Sequence, residues 1–179
     1  MFKSVEESKI QISELMLPSN TNFGGKIHGG YILKLMDQIA FACASKHSGS
    51  YCVTASVDSV NFLNPIEVGE LVTMKASVNY VGKSSMVVGI RVESENIQTG
   101  KKKHCNSSYF TMVAVNENGV TSTVPGLRLT NKIDAKRFIK AIKRRESETE
   151  RTSTLDKIYK NVQEHLEILK NYRVQIDFK

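Results

Sequence analysis

An α+β fold, with an antiparallel sheet wrapped around one long central helix, is what this sequence of 179 residues predicts. Two observations predict it. One long apolar helix pattern begins at the pair Gly29–Gly30, and four strand-like segments joined by short turns follow it. An antiparallel sheet with one apolar face has to bury that face, and this helix is the large element placed to cover it.

The elements follow in order. Residues 1 to 15 read as a polar lead-in or an edge strand. A polar, glycine-rich loop from Ser19 to about Ile27 comes next. The helix is predicted from Gly29–Gly30 to about Ser45–His47, because Ile32, Leu35, Met36, Ile39 and Ala40 recur at three- and four-residue spacing. Phe41 and Ala42 widen its apolar face, so burial on most sides is expected. HSGSY breaks the helix. Cys52 to Phe62 alternates as a strand, with Val53, Ala55, Val57 and Ser59 on one side. NPIEVGE is a turn punctuated by Pro65 and Gly69. Leu71–Val81 and Met86–Glu95 are strands joined by VGKSS. ENIQTGKKK makes a hairpin into the last strand, His104–Val115, and Gly119 of NENG fits a turn that needs positive φ.

TVPGL is expected to end the domain, giving a domain over residues 1 to 127 and an extension over 128 to 179. In the extension, Asn131–Arg145 is spaced as a short amphipathic helix and RRESETERTST reads as a break. Leu155, Ile158, Tyr159, Val162, Leu166, Leu169, Tyr172 and Ile176 then predict an amphipathic helix of about six turns.

Composition bounds the function. Forty per cent apolar residues is enough for a core. No run approaches the ~20 apolar residues of a membrane span, and MFKSVEESKI has no apolar core of a secretory signal. The three cysteines, Cys43, Cys52 and Cys105, match no CxxC pattern, so free thiols in a reducing cytoplasm are expected. The net charge of +7 is unevenly spread: residues 1 to 127 hold 11 basic and 10 acidic side chains, residues 128 to 179 hold 14 and 8. A nearly neutral domain carries a basic appendage. Acids interleave with the bases of that appendage, so packing on an oligomer or over a substrate entrance is expected of it rather than nucleic-acid binding.

The candidate for chemistry is Asp37, one carboxylate among Leu35, Met36, Ile39, Ala40 and Phe41. Burying a carboxylate is costly unless it is paired or used. His47 and His104 have no carboxylate or thiol at ligand spacing, so no metal site is expected.

TNFGGKIHGGYILKLMDQIAFACASKH, VTASVDSVNFLNPIEVGE, VGKSSM and SSYFTMVAVNENG, in that order, resemble the hotdog-fold acyl-CoA thioesterases. The nearest branch is that of the cytosolic acyl-CoA hydrolases, including YciA-type and brain enzymes. The resemblance spans roughly residues 10 to 127 and stops before 128. It implies a hotdog fold, hydrolysis of acyl-CoA to a free acid and coenzyme A, and no cofactor beyond the coenzyme A of the substrate. It also implies homodimers assembled as a homohexamer, a trimer of dimers, with active sites at the dimer interface.

Thioester hydrolysis needs an activated water and a place for the developing oxyanion. The resemblance assigns the catalytic carboxylate to Asp37, as base or nucleophile. Gly29 and Gly30 open the helix, where N–H groups are unsatisfied and the dipole favours negative charge. Gly30 is therefore expected to donate to the oxyanion, with Gly29 leaving room for the thioester. The resemblance places Asn22 across from the acid, to hold water or carbonyl. His28 is read as lining the helix start, since the family has other residue types there, phenylalanine among them. Thr54 is expected on the interface strand, touching the partner's water or thioester. Gly82, Lys83, Ser84 and Ser85 offer amide, ammonium and hydroxyl donors to the phosphates of coenzyme A. The run Lys101–Lys103 is expected at a solvated hairpin tip.

Two other functions fit parts of the pattern. A hotdog dehydratase pairs a loop histidine with a helix acid, as His28 and Asp37 would, but the HGG–(x)6–D spacing resembles the thioesterases. A non-catalytic acyl-CoA-binding regulator would carry a helix-turn-helix ahead of the domain, and the roughly 15 to 18 residues before the motif are too few for one.

Overall fold

The central helix α2 forms over Gly29–Ser48. These and the following elements come from a computed structural model, which describes residues 1–160, 162–175 and 177. Ile32, Leu35, Met36, Ile39, Ala40, Cys43, Ala44 and His47 make its buried face. The stripe follows the three- and four-residue spacing of a helix with one apolar side. Gly49 ends it in the left-handed conformation, φ 72°, and donates its N–H to the Ser45 carbonyl.

The other elements are β1 (Phe2–Ser4), α1 (Val5–Ser8), β2 (Ile10–Leu15), β3 (Tyr51–Val57), β4 (Glu70–Val81), β5 (Ser85–Asn96), β6 (Lys102–Val115), β7 (Gly126–Arg128) and α3 (Lys132–Lys160). Strands β2-β4-β5-β6-β3 form one antiparallel sheet in that order. Its inward side chains, among them Val72, Met74, Val88, Val92, Phe110 and Met112, pack with α2 into one core. Each such side chain contributes about 1.5–3 kcal/mol by leaving water. Strand β3 is the last in the sheet order, so its outer edge is unpaired among the described residues.

Several expectations are corrected. Strand β3 stops at Val57 rather than Phe62. The chain leaves the ladder there, and Asn64 then donates its side-chain amide to the His104 carbonyl at 2.8 Å. A bulge at Ala55 interrupts the pairing of β3 with β6 and resets the alternation read for this strand. Phe41 is exposed rather than buried. Two of the three lysines at 101 to 103 belong to β6, where Lys103 pairs with the buried Glu70 at 2.8 Å and Lys102 with Glu95.

The TVPGL segment is not a loose linker. Gly126 enters β7, which pairs in parallel with β1. Gly119 does take positive φ, 74°.

The chain forms two compact units, Met1–Phe138 and Ile139–Lys179. RRESETERTST is not a break: α3 runs through it. Arginine and glutamate are good helix formers, and Lys143–Glu146 and Glu148–Arg151 pair three residues apart along it. Thr149 and Thr154 bond their hydroxyls to carbonyls four residues back. The expected six-turn helix is shorter, because α3 ends at Lys160 and Val162–Asn171 is 3₁₀. Of the stripe read there, Leu155, Val162 and Tyr172 are exposed; Ile176 and the side chain of Tyr159 lie outside the described residues.

Candidate active site

Asp37 sits midway along α2 and faces outward from the core. It is exposed on the single chain, not buried as its apolar neighbours suggested. Its Oδ1 accepts a hydrogen bond from Thr54 Oγ1 at 2.6 Å. The two residues are brought together because β3 runs beside α2 at the free edge of the sheet. They line an open groove of about 380 Å³ with Gln38, Phe41, Tyr51 and Val53. Phe41 lies one helical turn after Asp37, and its ring meets Tyr51 edge-on with centroids 5.3 Å apart. Neither Phe41 nor Tyr51 is among the site residues expected from the sequence. The four-residue step from Asp37 to Phe41 was the signal for it.

A second cluster gathers at the start of α2. His28 is the N-cap, and its Nδ1 accepts from the Gly30 N–H at 2.9 Å. The ring therefore occupies the donor expected to face an oxyanion. The Gly29 N–H has no acceptor among the described residues. A Cβ on Gly29 would stand 3.2 Å from Cζ of Phe62, so this glycine admits a close aromatic cover. Asn22 uses its Oδ1 within its own loop, accepting from the N–H groups of Gly24 and Lys26 at 2.9 and 3.2 Å. The loop is tied to the helix by the His28 N–H, which donates to the Asn20 carbonyl at 2.8 Å. Tyr31 donates to Glu14 across the same region. That hydrogen bond, with added desolvation, raises the phenol's pKa.

The two clusters are separate on one chain. Gly30 precedes Asp37 by seven residues, about 10 Å along the helix axis. The turn from Gly82 to Ser85 belongs to neither cluster. Ser85 pairs with Val113, which pairs with Val53, so β6 stands between this turn and the groove strand. Its backbone is used internally, Gly82 N–H to Ser85 carbonyl and Lys83 carbonyl to Val124 N–H, and the Lys83 side chain is exposed.

Cys43 and His47 lie in the core. Cys43 is buried and its thiol is pushed up to about 12 by desolvation. His47 donates from Nε2 to the Pro125 carbonyl at 3.0 Å, and burial lowers its pKa. No group of three or more metal-ligating side chains occurs among the described residues, and no helix among them is long and apolar enough to cross a membrane.

The thioesterase superfamily matches residues 24–101. Protein VdlD of Helicobacter pylori is 42% identical over 146 residues, 82% of this chain and 83% of that protein. A hexameric acyl-CoA thioesterase solved in its apo form is 36% identical, with a TM-score of 0.82 over 84% of this chain and 97% of its own. The acyl-CoA hydrolase of Staphylococcus aureus, solved with butyryl coenzyme A and coenzyme A, is 31% identical, with a TM-score of 0.80 over 90% of this chain and 99% of its own. Structures also exist of that hydrolase with one asparagine, one aspartate or one threonine replaced by alanine. Those three positions are fifteen and then seventeen residues apart, as Asn22, Asp37 and Thr54 are here. The chain belongs to the thioesterase superfamily, among its hotdog-fold acyl-CoA thioesterases.

Proposed function

We propose that this protein hydrolyses acyl-CoA thioesters, with Asp37 as the group that activates the attacking water. The observation that carries this reading is the Thr54–Asp37 hydrogen bond in an open groove at the free sheet edge. A hydroxyl donating to one carboxylate oxygen fixes the other oxygen's direction and leaves it to accept from water. Asp37 takes a proton as that water attacks the thioester carbon. The tetrahedral oxyanion forms next and collapses, breaking the carbon–sulfur bond. The acid and coenzyme A leave, and the proton passes to the departing thiolate. No cofactor is needed.

The oxyanion donors in this reading are the N–H groups of Gly29 and Gly30 at the positive end of α2. Gly30 donates once the His28 ring has turned away from it. Asn22 offers its Nδ2 to the water or the carbonyl, since its Oδ1 is spent on the loop. Gly82, Lys83, Ser84 and Ser85 hold the phosphates of coenzyme A from a neighbouring subunit. That division suits the two separated clusters, each being half of a site. It also suits β3, an edge strand with exposed Tyr51, Val53 and Val57 that pairing with a second copy would cover. A homodimer through β3, assembled to a homohexamer like the hexameric thioesterase it resembles, completes the reading. Residues 1 to 127 then carry the catalytic fold and 128 to 179 an extension. The buried free thiols suit a cytoplasmic protein.

The test of substrate class is thiol release from saturated acyl-CoAs beside dehydration of a 3-hydroxyacyl-CoA. Thiol release without dehydration is expected. Dehydration without thiol release would replace this reading with that of a dehydratase using His28 and Asp37.

A further inference from the structure

Asn106 is fully buried, 0% exposed, and neither its Nδ2 nor its Oδ1 has a hydrogen-bond partner among the described residues. It lies on the inner face of β6. Ser108, Phe110 and Met112 follow it at two-residue steps, and Phe110 and Met112 pack in the core with α2. A bulge precedes it: Val92 pairs with Asn106 and Glu93 with His104, leaving Cys105 as the extra residue of β6. Bulges re-aim side chains and are frequent beside functional sites. Ser108, the next inner residue, donates its hydroxyl to the Asp58 carbonyl at 3.1 Å. A primary amide brings two donors and an acceptor oxygen into the core. Leaving them unmade is destabilising, and an apolar side chain of the same shape avoids that loss. The fold keeps the amide against its own stability, as folds do at functional sites.

Phe62 connects this stretch of β6 to the start of α2. Past Val57 the chain still follows β6, with the Asp58 N–H donating to the Tyr109 carbonyl and the Leu63 N–H to the Cys105 carbonyl, each at 2.9 Å. Asn106 lies between those two anchor points. Phe62 precedes the second of them, and its ring rests on Gly29, where an added Cβ would stand 3.2 Å from Cζ. The ring is 51% exposed, so turning it outward uncovers little of the core.

We propose that Asn106 is a specificity-determining residue, the polar end of an acyl pocket that opens when the Phe62 ring turns aside, and that it selects acyl groups carrying a hydroxyl. This rests on the thioesterase reading, in which Gly29 and Gly30 hold the thioester oxygen. An acyl group directed inward from that point meets the Phe62 ring first and the inner face of β6 behind it. A hydroxyl donates to Oδ1 and accepts from Nδ2 at once, whereas a ketone or a carboxylate has no proton for Oδ1. A site built to bond a substrate hydroxyl also rejects the analogue that lacks it, because its own polar atoms are then left unpaired.

The test is kcat/KM for thiol release from hexanoyl-CoA and from its isomers hydroxylated at each carbon from C2 to C6. The original oligomer is measured beside Asn106→Leu. At least one isomer is expected to be preferred over hexanoyl-CoA by roughly tenfold or more. Asn106→Leu is expected to lose that preference, to keep its activity on hexanoyl-CoA and to melt at a higher temperature. No preferred isomer, or a preference that survives Asn106→Leu, overturns the proposal. Calorimetric titration of Asp37→Ala with the same compounds separates this from failure of the thioesterase reading. If no acyl-CoA is hydrolysed at all, tighter binding of one hydroxylated isomer that Asn106→Leu abolishes still establishes the pocket, and equal binding of all of them overturns it. Asn106→Ala decides the matter in the same way if Asn106→Leu fails to fold.

Discussion

Thr54 Oγ1 donates to Asp37 Oδ1 at 2.6 Å, and this bond ties the free-edge strand β3 to the middle of α2. Both side chains are exposed on the single chain, so the bond adds at most about 1 kcal/mol to stability. Thr54→Val keeps the β-branched shape and removes the donor. It is expected to lower kcat about ten- to a hundredfold while leaving the melting temperature within a few degrees. Steady-state kinetics beside a thermal melt checks this, and an unchanged kcat would detach Thr54 from the chemistry.

The His28 ring accepts from Gly30 where the family resemblance led to an open amide. His28→Phe removes the helix cap and frees that amide. We expect a loss of about 1 kcal/mol in stability, the usual worth of an N-cap, with kcat no lower than that of the original protein. A thousandfold fall in kcat would instead assign acid–base chemistry to His28.

Much of this was legible in the sequence, and what was missed has physical reasons. The α2 stripe from Ile32 to Ala44 is periodic because one face is buried against a sheet, so spacing alone revealed it. The four long strands were legible from their turns, Gly69 and Gly119 included. Asp37 drew notice as a lone carboxylate in an apolar run, but its exposure did not, because sequence does not show which helix face a sheet leaves uncovered. The Thr54–Asp37 pairing depends on strand order and on a bulge at Ala55, neither of which local pattern reveals. RRESETERTST looked like a break because it is polar. A solvated helix held by its own propensities and by Lys143–Glu146 needs no apolar stripe. Lys103 looked like a hairpin tip because its partner, Glu70, lies 33 positions away in sequence.

His47 gives the fold a pH dependence. Burial lowers its pKa in the folded chain below the ordinary 6.5, so the unfolded chain binds the proton more readily. Its contribution is therefore fully present above about pH 6.5 and is lost as pH falls through the folded value. Denaturant melts from pH 7.5 down to 5 are expected to show falling stability. His47→Gln, which can still donate to the Pro125 carbonyl, is expected to flatten that slope. An equal slope in both proteins would place the acid sensitivity elsewhere.

Cys43 is inert in the folded state, since it is buried and its thiol is pushed up to about 12. Thiolate is the species that alkylates. Iodoacetamide at pH 8 is expected to leave Cys43 unlabelled in native protein and to label it fully in denaturant, as read by peptide mass. Rapid native labelling would show that α2 opens readily at Ser8 and Val78, the neighbours that enclose this thiol.

The role of Asp37 is tested most directly by thiol release from a panel of acyl-CoAs of increasing chain length. The original protein is measured beside Asp37→Ala, both checked for the same oligomeric size. General-base catalysis contributes about a hundred- to ten-thousandfold, so kcat is expected to fall by at least a hundredfold in the intact variant for every acyl-CoA that the original protein hydrolyses. Undiminished hydrolysis by Asp37→Ala would contradict the account, leaving the fold as described and the chemistry to another residue.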